Sequence, residues 1–197
     1  MISTFTAFFD SNVFFGARLR SLCMEQALTG LFRARWSNDV HREWIAAVVE
    51  KRPGLTAADL ENTRRSMDAA VLDCLVTGYE GLIPTLSLPD PDDRHVLAAA
   101  IVARASVIVT FNERDFPKET LNLYGLHAAH PDDFLLDLDS LDPTQFIDAV
   151  GCDLRHYTRR PLPIDQYLDD LEKAGVPKTV AHLKARRVLL ETEHGDC

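Results

Sequence analysis

Phe5-Thr6-Ala7-Phe8-Phe9-Asp10-Ser11-Asn12 decides the reading of this chain, because a compact apolar run ends directly on an acid. Phe5 to Phe9 is β-prone and short enough for a buried strand, and Asp, Ser and Asn are residue types that favour a turn or helix cap. Three further acids stand in comparable places. Glu43 lies in Val40-His41-Arg42-Glu43-Trp44, Asp93 opens Arg94-His95-Val96-Leu97-Ala98-Ala99-Ala100, and Asp115 follows Val107-Ile108-Val109-Thr110. Carboxylates that converge in a fold have few stable uses without a cation. Two full charges about 5 Å apart repel by roughly 3 kcal/mol at an effective dielectric near 20. Either their pKa values rise or a divalent ion sits between them.

The spacing of apolar residues places these acids in alternating strands and helices. A helix is expected after Asn12, continuing past Gly16, and a second over residues 40–51, stopped by Pro53-Gly54. Thr56 with Asp59 resembles a capping box for a long helix through about Val76. Residues 82–86 are a short strand candidate, and residues 93–104 an Ala-rich helix able to pack closely on a sheet. Residues 106–110 are the clearest buried strand; 112–117 read as a loop, 126–129 as an edge strand, and a helix starts near Pro131. The alternation predicts an α/β fold with a mostly parallel sheet and right-handed crossovers. Reactive groups in such sheets gather beyond the carboxyl ends of the strands. After about Leu138, Asp142-Pro143, Pro161-Leu162-Pro163 and Val176-Pro177 punctuate three expected short amphipathic helices. The expected division is therefore 1–138 as the α/β core and 139–197 as a C-terminal helical extension.

A formal charge of -9 on 197 residues argues against broad electrostatic adhesion to nucleic acid or anionic membrane, although bound metal would reverse the sign locally. The four cysteines, Cys23, Cys74, Cys152 and Cys197, show no C-x-x-C pairing, which weakens zinc and dithiol readings and makes a reduced, cytoplasmic setting more natural. The first apolar stretch lacks a basic leader and is interrupted by Asp10, so it reads as a strand and not as a signal peptide or membrane span.

Four pieces, in order, resemble a PIN domain, the small metal-dependent ribonuclease fold of VapC-type toxins. They are Phe8-Phe9-Asp10-Ser11-Asn12-Val13-Phe14; Glu43; Asp90-Pro91-Asp92-Asp93-Arg94-His95-Val96-Leu97-Ala98-Ala99-Ala100; and Val109-Thr110-Phe111-Asn112-Glu113-Arg114-Asp115-Phe116-Pro117. The resemblance spans residues 5 to 138. It implies that Asp10, Glu43, Asp93 and Asp115 form an acidic catalytic site, with Asp10, Asp93 and Asp115 as ligands of Mg²⁺ or Mn²⁺. Some PIN sequences place the last acid where this chain has Asn112, which leaves Asn112 and Asp115 as alternatives; the Asn-x-x-Asp-Phe arrangement favours Asp115. Ser11, Asn12 and Thr110 are expected to support the carboxylates, and Glu43 has the reach to serve a second metal or orient the attacking water. The implied partners are an RNA substrate and an antitoxin protein, with a homodimer left open and no membrane.

Ordinary readings stand beside these. Asp10 and Asp93 could be helix caps, Glu43 a solvated helix residue, and Asp115 a loop acid paired with Arg114. His41 and His95 lack partners at ligand spacing and read as structural. Asp132-Asp133 and Asp169-Asp170 read as helix-start and solvated charges. Arg18, Arg20, Arg33, Arg35 and Arg42 could track a phosphate backbone, with Arg18, Arg20 and Arg35 the foremost RNA-binding candidates, or could equally be a solvated surface. A haloacid-dehalogenase-type phosphatase wants Asp-x-Asp, and Asn12 occupies its second acid position. The expected activity is endoribonuclease cleavage; the alternative is a non-catalytic PIN-like scaffold for RNA or protein.

Overall fold

The computed structural model describes residues 4–156 and 162–192; Pro161, one of the punctuating prolines, lies outside them. In chain order the elements are β1 (Phe5–Phe9), α1 (Ser11–Phe15), α2 (Ala17–Leu28), β2 (Phe32–Ser37), α3 (Asn38–Lys51), α4 (Ala57–Ala70), β3 (Leu75–Val76), α5 (Arg94–Val102), β4 (Val107–Val109), α6 (Lys118–Asn122), β5 (His127–Ala129), α7 (Pro131–Leu141), α8 (Pro143–Arg155), α9 (Ile164–Lys173), α10 (Pro177–Ala185) and α11 (Arg187–Thr192). Short 3₁₀ turns occupy Glu80–Thr85, Pro91–Asp93 and Glu113–Asp115. Among the described residues no helix is long and apolar enough to cross a membrane.

The chain divides into two compact units. The first holds residues 1–15 and 32–130; the second holds residues 16–31 and 131–197. In the first unit five strands form one sheet in the order β3-β2-β1-β4-β5, every neighbouring pair parallel. This is the α/β PIN-like architecture expected from the sequence. β1 lies at the centre, and Ala7, Phe8 and Phe9 are at most 1% exposed. Burying a phenylalanine contributes about 1.5–3 kcal/mol, so this short strand is a principal anchor of the core. α5 packs against β1, β2 and β4. Its Ala98, Ala99 and Ala100 are fully buried, and their small side chains let the helix axis approach the sheet.

Several local expectations need correction. The first helix breaks at Gly16 into α1 and α2. The capping box of Thr56 and Asp59 is present, but α4 stops at Ala70 and the chain re-enters the sheet as β3. Residues 82–86 form no strand: Pro84 removes a ladder donor, and the segment winds into the 3₁₀ turn Glu80–Thr85. β2 was not anticipated. It alternates from Phe32 to Trp36, with Phe32, Ala34 and Trp36 buried while Arg33 is exposed and Arg35 half-buried. α2 reaches β2 through Gly30, whose φ of +76° is a left-handed conformation that favours glycine.

The second unit is helical in its described residues, and four helices rather than three follow α7. α2 packs on α8, and α10 on both α7 and α9. Asp132 is not a solvated charge here. It is 2% exposed, and its carboxylate accepts hydrogen bonds from the N–H groups of Lys178 (2.8 Å) and Thr179 (2.7 Å) and the Thr179 hydroxyl (2.7 Å), capping α10. Asp153, also buried, accepts from the hydroxyls of Ser21 and Tyr167.

Candidate active site

Parallel register builds the first half of the site. Phe9 pairs with Val109, so the next residues, Asp10 and Thr110, emerge side by side at the carboxyl ends of β1 and β4. Asp10 N–H donates to the Val109 carbonyl at 3.1 Å, fixing the exit of the strand. The Asp10 carboxylate is 3% exposed and fully engaged on one side. Oδ1 accepts from the Ser11 N–H (2.6 Å); Oδ2 accepts from Asn12 Nδ2 (2.6 Å) and from the Thr110 hydroxyl (2.7 Å). Asn12 Nδ2 also donates to Thr110 Oγ1 (3.0 Å), which accepts again from the Asn112 N–H (3.0 Å), while Asn12 Oδ1 accepts from the Phe111 N–H (3.2 Å). The buried hydroxyl of Thr110 thus uses one donor and two acceptor sites, its whole capacity. Burial raises the Asp10 carboxyl above its ordinary range, opposed by the bonds from Thr110 and Ser11.

Asp93 ends the 3₁₀ turn Pro91–Asp93 and immediately precedes α5. The capping is done by Asp90, whose Oδ1 accepts from the Asp92 N–H at 2.8 Å. Asp93 itself makes no side-chain cap. Its carboxyl is pushed up to about 7, first by burial and then by the negative charges of Asp10, Asp90 and Asp115, with His95 acting in the opposite direction. Asp115 is 19% exposed in the turn Glu113–Asp115, its N–H bonded to the Asn112 carbonyl (2.9 Å), and Arg114 Nε stands 3.8 Å from its Oδ1. Asn112 is exposed and is tied to the site through its backbone.

Glu43 projects from α3, 44% exposed, and meets His95 Nε2 at 2.7 Å. The sequence reading gave His95 no partner; the only hint available was its place two residues after Asp93. His41 is structural, as expected. Its Nδ1 accepts from Trp44 Nε1 (2.9 Å), and its Nε2 faces Asp68 Oδ1 (2.9 Å), which also accepts from Trp36 Nε1 (2.9 Å).

The arginines do not act as one cluster. Arg35 is half-buried on β2, Arg33 is exposed on the same strand, and Arg42 pairs with Asp39, all in the first unit. Arg18 and Arg20 belong to α2 in the second unit, where Arg18 pairs with Asp170 (3.5 Å) and lies 5.1 Å from the Tyr167 ring centre.

Among the described residues, no group of three or more His, Cys, Asp or Glu side chains is drawn into a ready-made metal cage. The donors present still suit a hard divalent ion. Mg²⁺ keeps several waters and is bound through one or two carboxylates, so a complete protein cage is not what it requires. Asp93, free of capping and raised to about 7 first by burial and then by neighbouring acids, carries a repulsion that a cation would relieve.

A model of the PIN domain matches residues 6–114, and a model of the VapC50 C-terminal domain matches residues 131–185. Over 112 residues the chain is 53% identical to "Putative ribonuclease VapC50" of Mycobacterium tuberculosis, a span covering 56% of this chain and 63% of that protein. No solved structure matches the chain. With the all-parallel sheet, the ordered motifs and more than half its length matched, the chain belongs to the PIN-domain family.

Proposed function

We propose that the chain is a metal-dependent endoribonuclease that hydrolyses RNA phosphodiester bonds, and that it is the toxin of a type II toxin–antitoxin pair. The observation that carries this reading is the placement of Asp10 at the carboxyl edge of the sheet near Asp93, whose carboxyl is raised to about 7 first by burial and then by the charges of Asp10, Asp90 and Asp115. The relative named a ribonuclease supports the same chemistry. Asp10, Asp93 and Asp115 would hold Mg²⁺ or Mn²⁺, which supplies an activated water and offsets charge on the departing oxygen.

The protein's own groups divide the remaining work. Ser11, Asn12 and Thr110 lock the Asp10 carboxylate in one orientation, so a ligand meets a pre-set oxygen pair. Asp115 adds negative charge from the neighbouring strand end, and Asn112 fixes the turn that carries it. Glu43, the most exposed of the four acids, is suited to serve a second metal or to orient the attacking water. Arg35 is the remaining basic candidate of the first unit for a phosphate, and Arg18 and Arg20 are candidates on the second. An uncontrolled ribonuclease harms its host, so an antitoxin that covers the acidic edge of the sheet is part of the proposal, as is a cytoplasmic setting; a homodimer is compatible with it.

The test is cleavage of a panel of short single-stranded and hairpin RNAs with Mg²⁺ or Mn²⁺, with a chelator control, by the native chain and Asp10→Asn. Metal-dependent cleavage lost in the variant is expected. RNA binding without cleavage by either protein would sink the enzyme reading and leave the non-catalytic scaffold.

A further inference from the structure

We propose that His95 is the positioning residue for Glu43, holding its carboxylate in the orientation the site uses. This rests on the reading of Glu43 as a site acid.

The two side chains differ in a way that gives each a role. His95 is 12% exposed and Glu43 44% exposed, so the ring is the fixed member and the glutamate the arm. Their contact, Nε2 to Oε1 at 2.7 Å, is short for a nitrogen–oxygen pair and typical of bonding to an ionised carboxylate. His95 Nδ1 is buried without a hydrogen-bond partner among the described residues. The bond to Glu43 is therefore the ring's polar tie, and no second bond turns the ring elsewhere. His95 sits in the first turn of α5, two residues after Asp93, so the stretch that presents one acid also anchors another from α3.

A glutamate on an exposed helix face has three rotatable bonds and samples many positions in water. Chemistry that depends on orienting a water or ion needs that carboxylate confined, and residues that bond to site ligands commonly do the confining. Burying an imidazole with one nitrogen unmatched is costly, and a ring serving only to fill space would be better replaced by an apolar side chain. The pairing with Glu43 explains why a histidine occupies the position.

Three substitutions separate positioning from packing. His95→Gln can present its amide nitrogen near the place of Nε2, whereas His95→Phe keeps the ring volume without a donor. Glu43→Gln removes the carboxylate being held. With RNA as substrate, His95→Phe is expected to lose about 10- to 100-fold in kcat with little change in KM, and His95→Gln to recover most of it. In the Glu43→Gln background, His95→Phe should cost nothing further. Mn²⁺ affinity, read by electron paramagnetic resonance on protein without RNA, should follow the same pattern. Should His95→Phe fail to fold by circular dichroism, His95→Asn, too short to reach Glu43, takes its place.

A loss equal in both backgrounds, or no loss in either readout, overturns the proposal. If the native chain cleaves no RNA but its Mn²⁺ affinity depends on His95 only when Glu43 is present, the positioning role stands and the ribonuclease reading falls. Absence of both cleavage and Mn²⁺ binding in the native chain overturns both.

Discussion

Buried acids are treated in opposite ways in the two units. In the helical unit, Asp132 meets two backbone N–H groups and a hydroxyl, and Asp153 meets two hydroxyls. Each is surrounded by donors and ties elements together. In the sheet-bearing unit, Asp10 is equally well held from behind, yet Asp93 faces Asp10, Asp90 and Asp115 with no capping bond to offset them. The first arrangement ties helices together through hydrogen bonds; the second holds like charges close, a cost that a bound cation would relieve. Burial alone therefore does not mark a functional acid. Like charge added to burial is what sets Asp93 apart.

The sharpest way to break that contrast is to neutralise one acid of each kind. Asp10→Asn should lower RNA cleavage by more than about 100-fold, beyond what loss of an outer supporting residue gives, while circular dichroism stays native. Asp132→Ala should do the reverse. It strands two N–H groups and a hydroxyl in a buried site, a cost of about 3 kcal/mol or more in urea unfolding, with cleavage per folded molecule unchanged.

Asp93 gives a subtler test, because its folded carboxyl lies near 7 against an ordinary 3.8. In the metal-free protein this raised value contributes stability that is complete below the ordinary value and is lost as pH rises toward 7. Asp93→Asn should then be more stable than the native chain at pH 8, with the gain shrinking toward pH 4. Water screens the partly open site, so the gain is on the order of 1 kcal/mol, or roughly 2–4 °C in melting temperature at this size. Saturating Mn²⁺ should reverse the order.

The smallest effect belongs to His41, whose pKa is lowered from 6.5 chiefly by burial. Its accepting bond from Trp44 requires the neutral ring. The unfolded chain takes up the proton first, so this contribution is present above 6.5 and declines as pH falls below it. His41→Gln should flatten the stability curve on that acidic limb.

What the sequence made legible was whatever short-range chemistry determines. β1 and β4 were readable as apolar runs, and acids or hydroxyls directly after them had to share an edge once the strands paired in parallel. The capping box of Thr56 and Asp59 is likewise local. β2 escaped because Arg33 and Arg35 drew attention to charge, although Phe32, Ala34 and Trp36 kept the period of a strand with one buried face. β3, two residues long, carries too little pattern to detect. The link between Glu43 and His95 was invisible for another reason. Their distance is set by how two helices pack, and no local spacing encodes it. Asp132 misled because an acid near a helix start usually meets water, whereas here α10 arrives from far along the chain to cover it.

The placement of α2 has a consequence for inheritance and engineering. The backbone enters the helical unit at Gly16, leaves at Leu31, and returns only at Pro131. A protease cut after His130 would not liberate a tidy sheet-bearing fragment. It would leave Leu19, Leu22 and Cys23 of α2 stripped of α8, a sticky apolar stripe in mid-sequence. The tail is thus interlaced with the head of the polypeptide, and neither half can be shed or swapped by a single crossover.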